Sequence, residues 1–322
     1  MKIVINGPTM PEEVPGITAI ANEVELVCAP NKERLAEVLP GADILLGWNF
    51  QSRDMSNQWH KADSLKWVHW CGAAVDRILS PELRASDITL TNARGIFDSV
   101  MAEYVLGYMI SELKLFRETW HLQKERRWQT RLTGKLAGSR PVIFGVGSIG
   151  RQTARLLRSV GVKVSGVGRR VREDDPDFGT IYSSDRAFEA IEDADWVIGL
   201  LPLTEETTLY YGANFFGAMK QEARFMNLGR GESVDESALI ASLEQGKIAG
   251  AMLDVFHNEP IDQSNPLWEA PNIVISPHTS SYYAEYEEDM ANQFLDNFAR
   301  FKEHKSLEDV VDKNLGFVPS ER

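Results

Sequence analysis

A chain of 322 residues is long enough for about two ordinary domains, and 43% hydrophobic with 25% charged residues is the balance of a packed chain, not a disordered one. Forty-seven acidic residues against 34 Lys and Arg leave a formal charge of −13, which disfavours general binding to nucleic acid or an anionic membrane. Two cysteines, Cys28 and Cys71, cannot make a disulfide framework, and no apolar run approaches the ~18 residues of a membrane span, so a cytoplasmic α/β protein is expected.

Short apolar runs alternate with helical patterns throughout. Strands are expected at residues 2–5, 25–27, 43–46, 65–68 and 89–90, with a helix at 31–38. Buried strands separated by helices imply a parallel sheet covered on both faces. A long helix is predicted over 98–128, with Val100, Tyr104, Val105, Tyr108, Met109, Leu113 and Phe116 on one stripe. After the polar linker 130–140 a second series begins. Its strands are expected at 142–144, 162–167, 196–200, 223–227, 248–253 and 273–275, and its helices at 149–160, 186–191, 214–219 and 236–245. Gly161 and Gly246 stand where helix C-caps belong. A final helix over 283–305 repeats Tyr282, Tyr286, Met290, Phe294 and Phe298 every four residues. Two long helices between the two series imply that the chain crosses over and returns. One domain would comprise 1–98 with 288–322, and a second, 99–287, would be inserted into it.

Gly145-Val146-Gly147-Ser148-Ile149-Gly150 is a G-x-G-x-x-G between an apolar strand and an amphipathic helix, the context of a dinucleotide site. Gly145 permits the tight turn, Gly147 lets a pyrophosphate approach the backbone, and Gly150 lets helix and strand pack closely. The helix N-terminus offers N–H groups and a positive dipole end to the phosphates. Pro141 is tolerable only as the first residue of its strand. Past the loop, the strand ends in Gly168-Arg169-Arg170, with Arg172 behind and no carboxylate for a ribose 2′-hydroxyl. Guanidinium groups suit a 2′-phosphate by charge and geometry, which favours NADP(H) while leaving NAD(H) open. The alternative is a solvated basic turn balanced by Glu173, Asp174 and Asp175.

Arg230, Glu259 and His278 each follow one of three successive predicted strands. In an open parallel sheet the ligand crevice lies off the carboxyl ends of the strands, so all three belong to one rim. Arg can clamp a carboxylate with two parallel bonds. A Glu beside a His favours its charged form, and an imidazolium can donate a proton to a carbonyl as hydride arrives. Each residue alone could be an ordinary loop or turn residue.

These stretches resemble the D-isomer-specific 2-hydroxyacid dehydrogenase family. The 145–150 loop, Leu201-Pro202-Leu203-Thr204-Glu205-Glu206-Thr207, the run from Met219-Lys220 through Asn227-Leu228-Gly229-Arg230-Gly231 to Val234-Asp235, Asp254-Val255-Phe256 with Glu259-Pro260, and Pro277-His278 with Ser280-Ser281 all carry the likeness. Ala102-Glu103-Tyr104 and Val310-Val311-Asp312 extend it over nearly the whole chain. The resemblance implies two doubly wound parallel-sheet domains, with a Rossmann cofactor domain inserted in a flavodoxin-like substrate domain. It implies an active site in the cleft and a homodimer built largely on the nucleotide domain. It assigns the substrate carboxylate and keto oxygen to Arg230, acid–base work to His278, and the charge behind His278 to Glu259. Cofactor contacts would come from Gly145, Gly147, Ser148, Ile149 and Gly150, from Gly168, Arg169 and Arg170, from Leu201, Pro202 and Thr207, from Leu228 and Gly229, and from His278, Ser280 and Ser281. Asp254 would sit near the nicotinamide carboxamide. Cys71-Gly72-Ala73-Ala74-Val75-Asp76 resembles the loop whose N–H groups bind the substrate carboxylate, and Trp48 and Asn49, after the strand 43–46, either line the substrate side or serve as packing residues. The Gly168-Arg169-Arg170 ending resembles the glyoxylate and hydroxypyruvate reductase branch, hence reduction of a small 2-oxo acid to the D-2-hydroxy acid, with no metal. A formate- or phosphite-type dehydrogenase and a non-catalytic NAD(P)-sensing regulator remain the alternatives.

Overall fold

The computed structural model describes residues 1–319, which form two compact units, one of Met1–Phe97 together with the chain from Tyr283 onward, the other of Asp98–Tyr282. The return to the first unit thus falls five residues before the expected position.

The first unit is built on β1 (Lys2–Asn6), β2 (Glu25–Ala29), α1 (Lys32–Val38), β3 (Ile44–Gly47), β4 (Trp67–Trp70), α2 (Pro81–Ala85) and β5 (Thr89–Asn92), closed by the last helix, α9 (Tyr286–Lys302). The strands form one parallel sheet in the order β2-β1-β3-β4-β5. That is the flavodoxin-like winding, whose strand order reverses between β1 and β3. Ile3, Val4 and Ile5 are fully buried, as a strand covered on both faces requires. The Asn31 side chain accepts from the Arg34 N–H at 2.8 Å and starts α1, and Ser80 with Pro81 starts α2. On α9, Met290, Phe294 and Phe298 are buried at four-residue spacing, and Phe294 stacks on Trp67 with ring centroids 5.2 Å apart. Tyr282, expected on this stripe, lies before the helix and is exposed.

The second unit opens with two helices where one was expected, α3 (Asp98–Leu113) and α4 (Phe116–Lys124), separated by Leu115 at φ +54°. Glu112 supplies a reason. It is buried and pairs with Arg117 at 2.8 Å and with Arg224 at 3.4 Å. Five residues along a straight helix lie about 140° apart around the axis, so only a break lets Arg117 reach Glu112. Beyond the break only Leu122 is buried, and Phe116 is exposed.

The remaining elements are β6 (Pro141–Phe144), α5 (Ser148–Ser159), β7 (Ser165–Gly168), β8 (Arg172–Asp175), β9 (Gly179–Ser183), α6 (Ala187–Ile191), β10 (Trp196–Gly199), α7 (Ala213–Ala218), β11 (Arg224–Asn227), α8 (Glu236–Glu244), β12 (Gly250–Leu253) and β13 (Ile273–Ile275). The sheet runs β13-β12-β11-β10-β6-β7-β9-β8, parallel except for β8 against β9. From β9 to β12 this is the 3-2-1-4-5-6 order of the dinucleotide-binding fold, with one strand added at each end. Pro141 is the first residue of β6, and Gly161 and Gly246 take positive φ just past α5 and α8. The β8–β9 hairpin has no signature in the sequence. β8 reads Arg-Glu-Asp-Asp, with no apolar alternation to mark it. Among the described residues no helix is long and apolar enough to cross a membrane.

Phe294→Ala would leave a cavity under Trp67, at a cost of roughly 3–5 kcal/mol. Chemical denaturation of the variant should show the first unit unfolding well before that of the parent, and an unchanged curve would exclude Phe294 from the core.

Candidate active site

Arg230, Glu259 and His278 follow three neighbouring strand ends of the second unit. Arg230 lies three residues past β11, and its main chain is fixed from both sides. Its carbonyl accepts from Asn227 Nδ2 at 2.9 Å and from Ser233 Oγ at 2.7 Å. A Cβ on Gly229 would lie 2.7 Å from Leu201 O, and one on Gly231 would lie 2.0 Å from the Phe256 carbonyl carbon. Side chains at either position would force neighbouring backbone apart, so the two glycines clamp the residue between them.

The segment that abuts Gly231 also holds Glu259. Phe256 N–H donates to Glu259 Oε1 at 3.0 Å, and Glu259 Oε2 lies 2.8 Å from His278 Nδ1. The Glu259 and His278 side chains are 24% and 25% exposed. An ionised carboxylate only accepts hydrogen bonds, so Nδ1 is the donor and Nε2 faces away from the pair. Nε2 makes no hydrogen bond among the described residues.

His278 sits at φ +53°, a left-handed conformation that a non-glycine residue keeps only where its surroundings enforce it. The enforcing group is Asp254, fully buried just past β12. Its carboxylate accepts from the N–H of Thr279 at 2.9 Å, from the N–H of Ser280 at 3.1 Å and from the Ser276 hydroxyl. Ser276 and this use of Asp254 escaped the sequence reading. The signal was an Asp just past one strand and a Ser just past the next.

The 145–150 loop passes the geometric test for a dinucleotide. Gly145 has φ +108°, and a Cβ there would lie 2.4 Å from Leu200 O. A Cβ on Gly150 would lie 2.0 Å from Gly145 O, so loop and helix can close only on glycine. Gly147, the N-cap of α5, has no heavy atom within 4 Å of the Cβ position and offers no side-chain cap. The first-turn N–H groups of α5, at Ser148 and Ile149, donate to no described group, which suits them to a pyrophosphate. β7 ends at Gly168, where a Cβ would lie 2.7 Å from Val146 Cγ2, and the exposed Arg169 and Arg170 follow with no carboxylate between. Asp175, counted above among acids balancing this turn, is buried and bonded to Arg151 at 3.0 Å. After β10, Thr207 closes the 201–207 loop on itself, its hydroxyl donating to Pro202 O at 2.6 Å. Leu228 and Gly229 lie in the turn after β11, and Ser280 is buried with Ser281 beside it half-buried.

In the first unit, the 71–76 loop follows β4. Its carbonyls are tied back: Gly72 O accepts from Ala93 N–H at 3.2 Å, Ala74 O from Trp70 Nε1 at 3.1 Å, and Ala73 O from the Asn92 side chain. The N–H groups of Gly72, Ala73, Ala74 and Val75 donate to no described group. Cys71, expected in the substrate set, opens this loop. It is fully buried, its N–H donates to Gly47 O at 3.1 Å, and burial pushes its thiol pKa up. It continues the line of β4 into the core. Trp48 is half-buried just past β3, and the Asn49 N–H donates to Asn6 O at 2.9 Å.

With this geometry in place, comparison with known proteins is direct. Residues 106–280 match the family model for the NAD binding domain of the D-isomer specific 2-hydroxyacid dehydrogenases. The chain belongs to this family and to its glyoxylate/hydroxypyruvate reductase-like branch. It is 28% identical over 317 residues to a glyoxylate reductase of Korarchaeum cryptofilum (strain OPF8), covering 94% of this chain and 95% of that one. It is 30% identical over 283 residues to glyoxylate/hydroxypyruvate reductase A of Serratia proteamaculans (strain 568), covering 86% and 88%. Among solved structures, a D-isomer specific 2-hydroxyacid dehydrogenase family protein from Aeromonas salmonicida superposes with a TM-score of 0.83 at 31% identity, over 97% of this chain and 99% of that one. An NADPH-dependent glyoxylate/hydroxypyruvate reductase from Sinorhizobium meliloti, in complex with NADP and sulfate, gives 0.84 at 27% identity, over 98% and 99%. The chain is thus an NAD(P)-dependent 2-hydroxyacid dehydrogenase.

Asp254→Ala removes the acceptor that holds the His278 turn. If His278 does acid–base work, displacing it by about 1 Å would cost on the order of 100-fold in rate. A fall of that size in kcat, with far-UV circular dichroism retained, is expected in steady-state assays; an unchanged kcat would show that the turn does not need the carboxylate.

Proposed function

We propose that this chain is a cytoplasmic, NADPH-preferring reductase of a small 2-oxo acid of the glyoxylate or hydroxypyruvate type, yielding the D-2-hydroxy acid. The observation that carries the reading is the Glu259–His278 pair, 2.8 Å apart, with Nε2 left to meet a substrate. Arg230, on the adjoining strand end, is the guanidinium suited to the carboxylate. At a formal charge of −13 the chain repels small anions, so capture needs such a local cation.

The 145–150 loop and the N-terminus of α5 would hold a nicotinamide coenzyme, which when bound and reduced would supply hydride to a carbonyl carbon. Arg230 binds the carboxylate through parallel N–H donors and polarises the keto oxygen. His278 Nε2 donates its proton to that oxygen, and the Glu259 carboxylate, accepting from Nδ1, orients the ring. In oxidation the neutral imidazole takes the hydroxyl proton back. The free N–H groups of residues 72–75 are suited to a carboxylate, and the proposal gives them that role. Preference for NADP(H) rests on Gly168-Arg169-Arg170, where β7 ends in guanidinium groups and no carboxylate. The homodimer belongs to the same proposal. Trp128 and Leu132, 99% and 96% exposed in the second unit, are an apolar surface that a partner would cover. A monomer in sedimentation velocity at micromolar concentration would remove that part.

NADPH oxidation is expected with glyoxylate and hydroxypyruvate, and no reduction of NADP with formate or phosphite as hydride donors. Arg230→Ala should lower kcat and raise substrate KM together, while near-full activity in His278→Gln would overturn the acid–base assignment. Replacing Arg169 or Arg170 with Ala should raise KM for NADPH roughly tenfold, the weight of a charge-assisted contact, and leave KM for NADH in place.

A further inference from the structure

The turn that carries Arg169 and Arg170 is strung between two strands held very differently. β7 has sheet partners on both sides, β6 and β9. β8 has one partner, pairs irregularly at Arg172–Ile181 and Asp175–Gly179, and exposes Arg172, Glu173 and Asp174. So short and exposed an edge contributes little to its own position.

A buried ion cluster supplies what the sheet does not. Arg151, the residue after the last glycine of the cofactor loop, grips Asp175 with both guanidinium nitrogens at 3.0 Å and reaches Asp177 Oδ2 at 2.7 Å. Arg155, one turn along α5, adds Nε at 2.7 Å and Nη2 at 3.1 Å to Asp177. Asp175 Oδ1 also accepts from the N–H groups of Asp177 and Phe178, which closes the hairpin. The Arg151 guanidinium lies 5.5 Å over the Phe178 ring, and that ring packs so near Gly166 of β7 that a Cβ there would lie 2.9 Å away. The side chains of Asp175, Asp177 and Arg151 are 3%, 9% and 15% exposed. Burial acts to raise the pKa of both acids, and the guanidinium hydrogen bonds outweigh it, so both stay below the ordinary Asp range.

We propose that Arg151, clamped to Asp175 and Asp177, is a positioning residue for coenzyme selection, fixing β8 to the helix that follows the cofactor loop and so holding the Arg169–Arg170 turn ready for a 2′-phosphate. The inference rests on the NADP(H) reading above. A turn ordered in advance spends less of its binding free energy on immobilising two long side chains. A coenzyme lacking the 2′-phosphate does not use the turn and does not register the clamp.

The test is calorimetric titration of the full chain with 2′,5′-ADP and with AMP, in the parent and in Arg151→Lys, which keeps the charge and loses the two-pronged grip. The expected result is roughly five- to tenfold weaker 2′,5′-ADP binding with AMP within about twofold. KM should follow the same split between NADPH and NADH at unchanged kcat. Should Arg151→Lys not fold, Asp177→Asn serves the same comparison. Equal loss for both probes, or no loss in a folded variant, overturns the inference. Arg169→Ala and Arg170→Ala separate it from its premise. If they leave 2′,5′-ADP binding intact the NADP(H) reading falls and the clamp's role with it; if they weaken binding and Arg151→Lys does not, the clamp alone is wrong.

Discussion

A single buried carboxylate orders the turn that carries His278. Asp254 lies at the end of β12 with no exposure to water, where an ionised group is costly unless hydrogen bonds replace its hydration. Three donors from the neighbouring turn provide that replacement: the Ser276 hydroxyl and the N–H groups of Thr279 and Ser280. The dependence runs both ways. The carboxylate is satisfied only if the chain after β13 turns in this manner, and the turn holds His278 at positive φ only because the carboxylate anchors it on either side.

From this anchor the rest of the site follows by short links. His278 projects Nδ1 to Glu259, and Glu259 is oriented in turn by the Phe256 N–H. Phe256 presses on Gly231, whose missing side chain lets the Arg230 turn come close. The first and last of these links cross from one parallel strand end to the next, so His278, Glu259 and Arg230 belong to one edge of the sheet. Rigid placement is what proton transfer and carboxylate orientation require, because little reorganisation is left to the reaction itself.

The cofactor side uses a different kind of constraint. Around Gly145 and Gly150 the chain closes on itself within distances that no Cβ would allow, and the N–H groups at the start of α5 are left without a cap. The hairpin beyond β7 is held by charges instead. Arg151 serves both regions, since it begins the second turn of the phosphate-facing helix and also grips the end of β8.

The sequence by itself determined the periodic and the stereochemically singular features. Apolar runs marked the parallel strands, Gly145, Gly161 and Gly246 marked their turns, and Arg230, Glu259 and His278 could be named because strand ends of a parallel sheet share a rim. It did not disclose features whose cause lies far along the chain. The break at Leu115 answers to a buried Glu112 that also needs Arg224, over a hundred residues away. β8 carries no apolar pattern, and its last residue is paired with Arg151 of a distant helix. Cys71 reads as a loop residue until the packing around β4 encloses it, and Asp254 and Ser276 become one unit only when β12 and β13 lie side by side. Periodicity and backbone stereochemistry are local and can be read from neighbours in sequence; the pairing of buried charges and polar groups depends on which segments the fold brings together, and only the tertiary structure decides that.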